Sequence, residues 1–128
     1  MSRAALSLQD LRMYRLQLES LIDPLREKIA ELEAEALRPV AVAVGHPDQA
    51  PAHDADPGTR DAEDSVARTV LESEQSVLAE ARAALSRLDA GTFGHCERCS
   101  HAIGKTRLTA IPYARYCISC ARDIERVA

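Results

Sequence analysis

The chain has 128 residues, 28% of them charged, a net charge of −4, and few aromatic side chains: one Phe, three Tyr and no Trp. That length holds one domain with an extension, whose burial must come from Leu, Ile, Val and Ala, the composition of long helices. Residues 1–90 carry 10 Lys and Arg against 17 Asp and Glu, and residues 91–128 carry 6 against 3, which excludes a uniformly basic nucleic-acid binder and suits a protein partner with a mixed surface.

In chain order, no secretion signal is expected from Met1–Ala5 onward, because Asp10, Arg12 and Arg15 soon interrupt any apolar segment. No apolar run reaches the ~20 residues of a membrane span, so a cytoplasmic protein without a membrane partner is expected. Ser7 and Asp10 form a capping box, with Asp in the place usually held by Glu or Gln. Leu8, Leu11, Arg15, Leu18, Ile22, Leu25, Ile29, Leu32 and Ala36 then recur at alternating spacings of three and four, a heptad stripe with Arg15 as its polar member. Pro24 falls inside the run, so a helix that kinks there, or restarts with Asp23 as its cap, is expected.

Residues 39–60 hold Pro39, Gly45, Pro47, Pro51, Pro57 and Gly58, which predicts a connection without regular structure. A second helix is expected from near Asp61 to about Ala90. Its stripe is Ala67, Leu71, Glu74, Leu78, Ala81, Leu85 and Leu88, widened by Val70, Val77 and Ala84, and Gly91 stops it. Two such helices joined by one loop make an antiparallel hairpin. A short final helix is predicted over Ala121–Val127.

Between the hairpin and that helix lie Cys96-x-x-Cys99 and Cys117-x-x-Cys120, separated by seventeen residues. Two-residue spacing lets both thiolates of a pair reach one tetrahedral ion at ~2.3 Å, and the separation suits a single zinc site. Four sulfur ligands close the metal against water, so the zinc is read as structural, not hydrolytic. Gly94 and Gly104 are placed at turns of the first knuckle, and Arg98, Lys105, Arg115 and Arg122 are available to offset the thiolate charge. A disulfide pair is disfavoured in a reducing compartment, and a redox C-x-x-C lacks its βαβ setting. His95 and His101 are read as surface residues beside the first pair.

The stretch Gly91-Thr92-Phe93-Gly94-His95-Cys96-Glu97-Arg98-Cys99, with Ile103-Gly104, Arg107-Leu108 and Ile111-Pro112-Tyr113-Ala114-Arg115-Tyr116-Cys117-Ile118-Ser119-Cys120, resembles the zinc finger of the DksA/TraR family. The resemblance implies a mainly α fold: an antiparallel coiled-coil hairpin over 1–90 with its tip at about 39–64, then a four-Cys zinc finger over 91–128 that ends in a short helix. It also implies RNA polymerase as partner, with the zinc module at the rim of the secondary channel and the hairpin tip directed at the catalytic centre, and no direct binding of DNA. The family's tip motif D-x-x-D-x-A is matched by Asp61 and Asp64, while Val66 stands where the family has Ala. From the residues alone, Asp61 reads as an N-cap assisted by Asp64.

From Asp64 to Cys96 is 32 residues, shorter than in the full-length DksA type and close to the TraR type. Ile111 and Ala121 stand where ppGpp-responsive members carry Arg and Lys, so ppGpp is not an expected ligand. The reading is a monomeric transcription regulator rather than an enzyme. Its site residues are Cys96, Cys99, Cys117 and Cys120 on zinc, Asp61, Asp64 and Val66 at the tip, and Arg107, Arg115, Arg122 and Arg126 against the polymerase rim. Direct nucleic-acid binding by the zinc module and a dimeric coiled-coil adaptor are the alternatives.

Overall fold

The computed structural model describes residues 6–37 and 57–127, with backbone alone for 57–62. Of the loop expected over 39–60, residues 39–56, with Asp48, Asp54 and Asp56, lie outside the described residues. Among the described residues four helices follow one another: α1 (Leu8–Ala36), α2 (Pro57–Ala90), α3 (Lys105–Ala110) and α4 (Ile118–Val127). The one pairing of extended backbone among the described residues is an isolated antiparallel bridge between His95 and Ala102.

α1 opens as its sequence dictates. The Ser7 N–H donates to Asp10 Oδ2 and the Asp10 N–H donates to Ser7 Oγ, both at 3.0 Å, a reciprocal capping box. The helix then runs 29 residues and passes through Pro24 without a break, so the expected restart at Asp23 does not occur. Pro24 is exposed, and so is Ser20, whose carbonyl the proline leaves without its helical N–H partner.

α2 begins four residues earlier than expected, at Pro57. Proline is well suited to the first position of a helix, where its missing N–H costs nothing, so residues 57–60 are helical and not part of an irregular connection. Asp61 therefore lies inside the helix and is not its N-cap. At the other end Gly91 adopts φ +80°. The Gly91 N–H donates to Leu88 O at 3.3 Å and the Thr92 N–H to Arg87 O at 2.9 Å, the two bonds of a Schellman motif.

The chain divides into two compact units, one of residues 1–24 and 77–128, the other of residues 25–76. In the second unit α1 and α2 run antiparallel, bridged by Lys28 to Glu74 at 3.0 Å and Gln75 to Glu33 at 3.3 Å. Leu25 and Ile29 are buried there. Ala67 and Val70, expected on the stripe of α2, are exposed, and partial burial starts at Leu71.

The first unit holds the larger core: Tyr14, Leu18 and Ile22 of α1, Ala81 and Ala84 of α2, and Phe93, Cys96, Ile103, Leu108, Ala114 and Cys120 of the cysteine module. Leu18 and Leu108 have no exposed surface. Burial of this kind contributes ~1.5–3 kcal/mol for each such side chain. Tyr14, absent from the expected stripe, is 1% exposed, whereas Leu8, its first member, is 73% exposed. The module packs against α1 on the Tyr14 side, so the buried face is wider than the seam between two helices. Arg15 sits at the edge of that face and bonds Asp89 at 2.7 Å.

Candidate metal centre

The first C-x-x-C pair sits on a knuckle built by backbone bonds. The Ser100 N–H donates to Cys96 O at 2.9 Å, the Cys96 N–H to His101 O at 2.8 Å, and the Ile103 N–H to Gly94 O at 2.8 Å. Two residues there have left-handed backbone, Gly94 at φ +88° and Ser100 at φ 67°. Gly104 does not: at φ −61° it has an ordinary extended conformation before α3, so the turn assigned to it belongs to Ser100. The second pair straddles the start of α4. The Ala121 N–H donates to Cys117 O at 2.9 Å, and Cys120 lies within the helix. α4 thus starts three residues before the expected Ala121.

The four Sγ atoms of Cys96, Cys99, Cys117 and Cys120 lie within 4.8 Å of one another, and those of Cys99 and Cys117 are 3.8 Å apart. Sulfurs tetrahedrally placed at ~2.3 Å from one zinc ion are separated by about 3.8 Å, so the cluster has the dimensions of such a site. Among the described residues it is the one cluster able to hold a metal, and His95 and His101 are exposed and outside it.

The thiols are unequal. Burial opposes ionisation of Cys96, but backbone N–H groups of Cys117, Cys99 and Arg98 outweigh it and bring its pKa down to about 6. Cys120 is pushed up to about 12, first by its bond with the Cys117 sulfur and then by burial. Such crowded sulfurs do not ionise together unaided; a divalent cation deprotonates coordinating thiols outright. The cysteines hold one structural Zn²⁺.

Basic residues around the module are largely engaged. Arg115 is bonded by Nε to Glu80 of α2 and by Nη1 to both carboxylate oxygens of Glu97 at 3.1 and 3.2 Å, and these partners hold its pKa above the usual value. Arg87 reaches Glu97 at 3.6 Å and Tyr113 O at 3.5 Å, and burial lowers its pKa. Arg107 donates to Tyr116 O at 2.8 Å. Lys105 pairs with Asp10 at 3.1 Å. Arg98 donates to Cys120 O at 3.5 Å and faces Asp123 at 3.8 Å. Arg122 and Arg126 are exposed on α4.

At the opposite end of α2, Asp64 and Val66 are exposed, Val66 by 63%, and Asp61 occupies a helical position three residues before Asp64. That spacing puts the two positions on one face. Sequence reasoning missed α3, whose six residues are too few for a periodic signal, and Tyr14, whose signal was its place one turn before Leu18.

A four-thiolate zinc knuckle packed on an antiparallel helical hairpin defines the class: a C4 zinc-finger protein with a coiled-coil hairpin. Residues 91–126 match the prokaryotic dksA/traR C4-type zinc finger. The chain is 32% identical to the RNA polymerase-binding transcription factor DksA of Haemophilus influenzae, over 94% of this chain and 91% of that protein. The protein belongs to the DksA/TraR family.

Two further relatives match over shorter stretches. An uncharacterized Aquifex aeolicus protein is 47% identical over 41% of this chain, and general stress protein 16O of Bacillus subtilis is 37% identical over 57% of it. The matches span 37% and 45% of those proteins' own lengths. Transcription factor DksA2 from Pseudomonas aeruginosa shares the fold, with a TM-score of 0.71 and 24% identity over 96% of this chain and 88% of that one. No described helix is long and apolar enough to cross a membrane.

Proposed function

We propose that the protein is a bacterial transcription regulator that binds RNA polymerase through its secondary channel, with the zinc module at the rim and Asp61 and Asp64 near the active site. The observation that carries this reading is the similarity, 32% identity over nearly the whole of both chains, to a relative described as RNA polymerase-binding. The exposure of Asp64 and Val66 supports it, since an acidic helix face clear of the protein's own packing is free to meet a cationic site. Arg122 and Arg126 lead as contacts to acidic polymerase surface, because Arg107 and Arg115 already bond within the chain. The regulator acts by electrostatics and sterics and breaks no bond; the metal, closed by four thiolates, offers no site for a substrate.

The test is in vitro transcription with the wild type and an Asp61→Asn/Asp64→Asn variant, alongside retention of each on polymerase core. Equal retention with regulation lost only in the variant supports the reading. Equal regulation by both proteins removes the tip from the mechanism, and failure of the wild type to bind core removes the partner.

A further inference from the structure

The zinc site is assembled from two half-sites that lie apart in the chain, and contacts other than the metal hold them together. The Glu97 N–H, next to Cys96, donates to the Arg115 carbonyl at 2.9 Å. In return the Arg115 guanidinium, two residues before Cys117, donates from Nη1 to the Glu97 carboxylate at 3.1 and 3.2 Å and from Nε to Glu80 of α2. Arg87 closes the circuit by pairing with Glu97 and reaching Tyr113 O on the segment that leads to Cys117. Two arginines and two glutamates thus join α2, the first knuckle and the approach to the second.

We propose that Arg115 is a positioning residue for the zinc site, pinning the second half-site to the first and both to α2, so that these contacts act beside the ion in gathering the four sulfurs. Any displacement of this clamp passes through at most two residues to a ligand on either side. The planar guanidinium suits the task because it serves Glu80 and Glu97 at once from a fixed fork, which the single ammonium of a lysine does not. This assigns Arg115 an internal role in place of the partner contact expected from sequence.

The test is the rate of zinc transfer from the intact protein to a chelating dye, for the wild type and for Arg115→Ala, Arg115→Lys, Glu97→Ala and the Arg115→Ala/Glu97→Ala double variant. Substitutions around metal ligands commonly change affinity 10–100-fold, and a half-exposed clamp belongs at the lower end. Release about tenfold faster is expected for Arg115→Ala, with partial recovery in Arg115→Lys and little further loss in the double variant.

Glu97→Ala separates positioning from bulk charge. Removing a negative charge beside an anionic centre slows release on charge grounds alone, whereas loss of the clamp accelerates it. Slower or unchanged release from Glu97→Ala, or wild-type release from Arg115→Ala, overturns the proposal. Should Arg115→Ala fail to fold, Glu97→Ala alone decides, by the same criterion.

Discussion

The ring of Tyr14 on α1 lies against that of Phe93 at the entry to the zinc module, their centroids 5.4 Å apart and their planes inclined by 40°. The Tyr14 hydroxyl shares a hydrogen bond with Thr109 Oγ1 at 3.3 Å, and Gln17 Nε2 donates to Thr109 O at 2.9 Å. One side chain of α1 therefore meets both the knuckle and α3. Tyr14→Ala is expected to destabilise this unit by ~3–5 kcal/mol, as other large aromatic truncations do. Tyr14→Phe, which loses only one long bond to an exposed partner, should cost at most about 1 kcal/mol. Urea denaturation of the two variants, followed by circular dichroism, checks the contrast.

Gly91 and Gly94 both hold positive φ, but their surroundings differ. A Cβ at Gly91 meets nothing within 4 Å, so Gly91→Ala is expected to lose only the left-handed backbone preference, ~1–2 kcal/mol. At Gly94 the same Cβ would stand 2.8 Å from Leu6 Cδ1, the end of a side chain that can turn aside. Gly94→Ala should cost about as much in backbone and, in addition, displace Leu6. Melting curves give the first comparison, and methyl NMR of Leu6 detects the displacement.

Asp10 joins the start of α1 to Lys105 at the start of α3. Its pKa is lowered first by the Ser7 backbone N–H and next by its bond with Lys105. A depressed carboxylate stabilises the fold above its unfolded value, near 3.8, and that contribution disappears as pH falls through the lower folded value. Asp10→Asn should therefore melt below the wild type at neutral pH, with the gap closing once pH drops under about 4. Equal gaps at pH 7 and pH 3 would show that the charge of Asp10 contributes nothing.

Metal removal should reach well beyond the knuckles. Cys96 and Cys120 belong to the same buried cluster as Tyr14, Leu18 and Leu108. Chelation at neutral pH, or Cys96→Ser, is expected to bring bound zinc to near zero. Hydrogen exchange should then accelerate across residues 8–24 of α1 as well as the module, because metal binding is coupled to folding. Protection of α1 that survives zinc loss would separate the helices from the metal.

Local chemistry was legible in the sequence wherever a feature needs only its near neighbours. The capping box of Ser7 and Asp10, the Gly91 stop and the four zinc ligands all depend on residues within a turn or on a fixed spacing, and each stands where the sequence put it. The heptad stripes predicted an antiparallel pair because a 3.6-residue period places apolar side chains on one face.

Tertiary structure alone decided which side of each helix a third element covers. Packing of the cysteine module brought Tyr14 into the core, left Leu8 in water, and drew Arg115 onto Glu80 and Glu97. None of these pairs is near in sequence, and an arginine beside a cysteine reads alike whether its partner is its own chain or another. The sequence by itself determined the metal and the two long helices; the fold determined what holds the metal to them.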